Sequence, residues 1–170
     1  MDTGEWLTRG TVWFALSLYA ASEIVKASRR GGKSLRAARC LNTFGCLAFL
    51  AHVAAAFHFY HHWSHATAYA DTARQTAEFF GWNWGGGLYI NYFFALVWLG
   101  EAVWSCANPN RYCQHPKWMT WAARGFFLFM IFNGAVVFVH NAARWFGLIL
   151  CVTLAGCWWR RRKPGVDPLP

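Results

Sequence analysis

Acidic residues are scarce in this chain. Seven Asp and Glu stand against 16 Lys and Arg in 170 residues, and charged side chains amount to 14% while hydrophobic ones reach 56%. A soluble domain carries roughly a quarter of its residues as charges, so a polar shell this thin cannot cover so much apolar surface. Recognisable catalytic and metal signatures are missing too: the chain contains no HExxH, no CxxCH and no zinc-type cysteine spacing, which removes the common zincin, c-type haem and zinc-finger patterns. No internal repeat or break in composition divides residues 1–170, so a single integral membrane domain is expected.

The charges that are present sit in clumps. Thirteen of the sixteen basic residues fall between Lys26 and Arg39, between Arg111 and Arg124, or in the run Arg160 to Lys163, leaving Arg9, Arg74 and Arg144 single. A net charge of +9 distributed this way does not make the continuous basic face that nucleic acid requires. Between the clumps lie five apolar segments, at about 11–25, 37–63, 88–106, 118–139 and 145–159. A spanning helix needs about 20 apolar residues, which the middle three supply; the first is extended by Trp6 and Leu7, and the last ends on Trp158 and Trp159 against a basic run that anchors at an interface. The expected fold is therefore all-α, a polytopic transmembrane bundle of about five spanning helices.

Short loops rich in Lys and Arg stay in the cytoplasm. Five crossings put all three basic clumps on one side and the three single arginines on the other, giving a multi-pass cell-membrane protein with its N-terminus outside and the 160–170 tail in the cytoplasm. A cleaved leader is disfavoured, because Asp2 and Glu5 precede the apolar run where a basic start is expected. The external segment 64–87 is rich in alanine and stopped by Gly81, which reads as a short interfacial helix.

Histidines crowd the end of the second span. On a continuous helix His58, His62 and His65 fall within about 60° of one another with His61 at the border, and neutral imidazoles at i and i+4 can share one ion. His58, His61, His62 and His65 are thus candidate ligands of a copper- or zinc-type ion, and His52, His58, His62 and His140 candidate contacts of a haem. The competing reading is that these rings rest at headgroup level beside Tyr60 and Trp63. His52 lies deeper, roughly 20 Å from the inner boundary of a core about 30 Å thick, with Asn91 and Asn133 as expected hydrogen-bond partners.

Glu23, Glu101 and Arg124 are ionisable groups inside spans. Helical rise brings all three to roughly 10 Å above the inner boundary, where two carboxylates can share one guanidinium. Asn91, Phe94, Trp98 and Glu101 form the stripe expected to face the bundle. The six cysteines fall in the membrane or on its inner side, where thiols stay reduced, and Cys40, Cys106, Cys113 and His115 match no metal spacing. Basic loops meet anionic inner-leaflet headgroups, and Gly45, Gly125, Gly134 and Gly156 would admit close packing with a membrane-protein partner or a second copy. The function expected is a non-enzymatic membrane component or accessory subunit; the alternatives are a haem- or metal-binding redox protein and a small transporter.

Overall fold

The computed structural model describes residues 3–28, 32–139 and 142–160, and contains helix but no strand among them. In chain order the helices are α1 (Thr3–Ser28), α2 (Gly32–Phe59), α3 (His65–Phe80), α4 (Gly87–Ala107), α5 (Pro109–Cys113), α6 (Lys117–Phe132) and α7 (Ala143–Arg160). A π-helical turn over Asn133–Val137 continues α6, closed by the Phe138 N–H donating to the Asn133 carbonyl at 3.0 Å. His140, proposed from the sequence as a haem contact, and the basic run beyond α7 lie outside the described residues.

The boundaries follow local chemistry. Ser64 caps α3, its side chain accepting from the Thr67 N–H at 3.2 Å, and Gly81 ends it with φ 76°, a left-handed conformation that costs glycine nothing. Pro109 sits in the first turn of α5, where its missing N–H leaves no bond unmade. The second apolar segment does not stay helical to residue 63. It stops at Phe59, and His62 and Trp63 take φ 48° and 58°, which turns the chain back toward α3.

Helices α1 and α2 form an antiparallel hairpin with a fixed register. His52 Nδ1 donates to the Thr8 carbonyl at 2.8 Å, the Ala15 carbonyl lies 3.2 Å from where a Cβ on Gly45 would stand, and the Ser22 hydroxyl donates to the Ala38 carbonyl at 2.8 Å. Each of these pairs adds to the same number, 60, so the two helices stay matched over about four turns. At the far end Gly4 lets the Phe59 ring lie against the α1 backbone. Glycine and alanine at such positions permit the close approach that drives association of helices in lipid.

The remaining long helices alternate in direction and meet the hairpin in layers. The middle layer is aromatic: Tyr19 stacks on Phe127 at 4.5 Å, Trp98 meets both edge-on, and Phe49 stacks on Trp98 at 5.3 Å. Trp98 is fully buried and donates its indole N–H to Asn42 Oδ1 at 3.2 Å, so the one polar atom of the ring is satisfied. Ring pairs of this geometry contribute about 0.5–1.5 kcal/mol each beyond their area. Near the α3 end, Gly147 of α7 lies against the Ala135 carbonyl of the π turn.

Among the described residues three stretches are long and apolar enough to cross a membrane: Lys33–Phe59, Gly87–Ala107 and Lys117–Val137. The outer surfaces of the bundle match a hydrocarbon solvent. Phe14, Phe44, Phe93, Leu96, Ile149 and Val152 are each exposed by about 60% or more of their surface, an apolar exterior too large for a soluble monomer.

Candidate functional site

Two polar sites lie at opposite ends of the bundle. At the end holding the α1–α2 connection, Glu23 is almost completely buried and saturated by donors from three helices. Lys26 Nζ reaches its Oε1 at 2.8 Å, while Oε2 takes Arg124 Nε at 3.1 Å, Arg124 Nη2 at 3.0 Å and the Trp158 indole N–H at 2.8 Å. The guanidinium is also held between the rings of Trp121 and Trp158, 5.4 Å from each centroid. A carboxylate that takes two N–H groups of one arginine on a single oxygen, with two further donors, is a fully paired buried ion, which rigidifies the helices that supply it.

The sequence places Glu23, Glu101 and Arg124 at one level, and the structure joins the first and third. Glu101 makes no ion pair or hydrogen bond among the described residues; it borders a cavity of about 370 Å³ that Arg36, Arg39, Tyr112 and His115 also line. Trp158 is the partner that sequence reasoning missed, because an indole donor leaves no mark in a search for opposite charges. Lys26 was legible at i+3 from Glu23. Below the cavity the His115 Nδ1 donates to the Tyr112 carbonyl and its Nε2 pairs with the Thr120 hydroxyl at 2.7 Å. Burial, reinforced by the charges of Glu101 and Glu23, pushes the Tyr112 phenol well above its ordinary value. Arg39 reaches the Ser105 carbonyl at 3.4 Å. Cys113 and His115 border this cavity, whereas Cys106 lies against the Thr43 hydroxyl at 3.5 Å and Cys40 is exposed.

At the other end the histidine stripe is broken by the end of α2. His58 remains on α2 and is exposed, its ring edge-on to Phe59. His62 is exposed in the left-handed link, and His65 opens α3, where its ring nitrogens meet the hydroxyls of Tyr92 at 3.1 Å and Tyr89 at 3.4 Å. His61 Nδ1 lies 3.2 Å from Asp71 Oδ2, itself held by Arg74 at 3.1 Å, an arrangement that raises the Arg74 pKa. No three His, Cys, Asp or Glu side chains among the described residues are grouped to hold a metal ion. The physical reason is the chain reversal: a shared stripe needs one continuous helix through residue 65.

His52 bonds neither expected asparagine. The carbonyl of Thr8 accepts its Nδ1 proton, Asn133 donates back to Phe129 of its own helix at 2.8 Å, and Asn91 is exposed. His52, His61 and Asn91 nevertheless line one cavity of about 590 Å³, bounded by α1, α2, α3, α4, the π turn and the start of α7. In the stripe expected on α4, Phe94 and Trp98 are buried while Asn91 and Glu101 turn toward the two cavities. No family model, curated protein or solved structure matches the chain.

Proposed function

We propose that the chain is a non-enzymatic component of the cell membrane, crossing it five times with its N-terminus outside, and that it serves as an accessory subunit within a larger membrane assembly. The observation that carries this reading is the Glu23, Arg124 and Trp158 tie. It joins α1, α6 and α7 at one level, so the two helices outside the three most apolar stretches run at the same depth as those stretches. An α7 of 18 residues measures about 27 Å, close to the hydrocarbon thickness. The register of α1 on α2 argues likewise for the first crossing. Basic residues at this end, Lys26, Arg36, Arg39, Arg111 and Lys117, favour the cytoplasmic face and its anionic headgroups. The buried ions are consumed in packing, which supports a structural role over a catalytic one.

The reading is tested on the full chain expressed in cells. An impermeant maleimide is expected to label the exposed Cys113 only after the inner face is opened, and mild-detergent purification is expected to bring a stoichiometric membrane partner. Labelling of Cys113 in intact cells would overturn the orientation; a monodisperse particle containing one copy alone would overturn the accessory role.

A second reading, a small transporter, is favoured by Glu101 alone, a carboxyl at membrane depth that faces a cavity with no protein partner among the described residues. It predicts solute movement in proteoliposomes that is lost in Glu101→Gln.

A further inference from the structure

The larger cavity has features that packing does not require. It is polar at the rim, where Arg9, Gln75 and Asn91 are exposed, and apolar at the floor, where Leu16, Phe94 and Ile131 are buried. Its walls carry Trp13, Phe49, Phe57, Tyr92 and Phe138. A volume of about 590 Å³ falls within the range of pockets that enclose small organic ligands, about 300–1,000 Å³. The π turn runs along one wall through Gly134 and Ala135, and such turns recur beside functional sites.

Its polar atoms are incompletely paired. Because a carbonyl only accepts, the bond to Thr8 fixes the His52 proton on Nδ1 and leaves Nε2 as a bare acceptor. That nitrogen has no hydrogen-bond partner among the described residues, and His52 is one of the side chains that line the cavity. An imidazole acceptor left without a protein partner on a cavity wall suits an occupant that carries a hydrogen-bond donor. The aromatic walls select a flat ring, and the apolar floor selects an aliphatic tail.

We propose that this cavity binds one lipophilic phenol or hydroquinone, with a ring hydroxyl donating to His52 Nε2 and the tail directed toward Leu16 and Ile131. The polar rim at Gln75 and Asn91 offers the second hydroxyl its contact. The geometry asks for binding alone and no electron transfer.

The probe is decyl-substituted 1,4-hydroquinone, titrated into the detergent-solubilised full chain, with its dimethyl ether as a matched probe that lacks both donors. Expected are saturable binding of one hydroquinone per chain and at least tenfold weaker binding of the ether. His52→Phe should bring hydroquinone binding down to the level of the ether, and Ala56→Trp, which fills the cavity wall, should abolish both. The ether comparison uses the unaltered protein, so it decides even where a variant fails to fold. Equal affinity for the two probes, or uptake that never saturates, would overturn the proposal. A Soret absorbance in the purified protein that disappears in His52→Phe would also overturn it, by giving the cavity to a haem.

Discussion

Replacing Glu23 with glutamine changes one atom and removes one charge. The side chain keeps an oxygen for the Trp158 indole, now 2.8 Å away, but offers only a partial dipole to Arg124, whose guanidinium is almost as buried as the carboxyl it loses. Lys26 is partly exposed and can swing to water. Arg124 cannot, since Trp121 and Trp158 hold it on both faces. Leaving one buried charge uncompensated costs about 3–5 kcal/mol. For a chain of this length each kcal/mol lowers the melting midpoint by about 2–4 °C, so Glu23→Gln is expected to melt about 6–20 °C lower. The twelve tryptophans make intrinsic fluorescence in detergent a direct readout. Adding Arg124→Met to the same chain removes the stranded charge and is expected to recover about half of the loss or more, because an apolar side chain of similar length fits where a paired ion stood. Arg124→Lys retains the charge yet gives up the paired N–H contacts and the ring stacking, and should fall between the wild type and Glu23→Gln. A single substitution at Glu23 that shifts melting by less than about 2 °C, or a double variant no better than the single, would show that the tie does not hold the bundle together.

Two further substitutions probe other parts of the same structure. In Gly147→Leu the new Cβ would stand 2.4 Å from the Ala135 carbonyl oxygen, forcing α7 off the π turn at a cost of about 1–3 kcal/mol, visible as a lowered melting midpoint, whereas the same change at the open Gly156 should be near neutral. The raised Tyr112 pKa predicts alkaline destabilisation: the unfolded phenol ionises near its ordinary value of about 10 while the folded one stays protonated, so stability is unaffected below that pH and falls as pH rises above it. Absorbance of phenolate at high pH should show one fewer late-titrating tyrosine in Tyr112→Phe, which should also lose that group's share of the alkaline loss.

The sequence was most informative where one helix and its solvent decide the outcome. The expected segment at 88–106 is α4 within a residue at either end, and 118–139 is α6 with its π turn, because apolar length and terminal tryptophans are properties of single segments. Ser64 and Gly81 bracket α3 for equally local reasons. The histidines were harder to place because a helical wheel assumes the helix continues, and nothing in Tyr60 to Trp63 is a strong breaker; the left-handed link is imposed by α3 docking against α4. His52 shows the same limit. Depth alone selected Asn91 and Asn133, but its partner is a carbonyl of α1, and only the hairpin register reveals that Thr8 lies opposite. The Glu23 and Arg124 pair could be read from opposite charges at equal depth, while Glu101, at that depth too, stands across the cavity that Glu23 and Arg124 also line, a separation between side chains that depth alone does not reveal.

A π turn stores roughly one residue more than the α-helical path it interrupts. Beyond it, Phe138 meets the Phe79 ring edge-on at 4.9 Å. Deleting one residue from Asn133–Val137 would remove that surplus, so the turn would relax to regular helix and leave Phe138 near the Phe79 ring, whereas deleting one from the regular turns of α6 would swing everything after it through about 100°. The contact that α3 makes through Phe79 therefore depends on a count of residues more than fifty positions further along the chain, and the π turn is where that count can lose one.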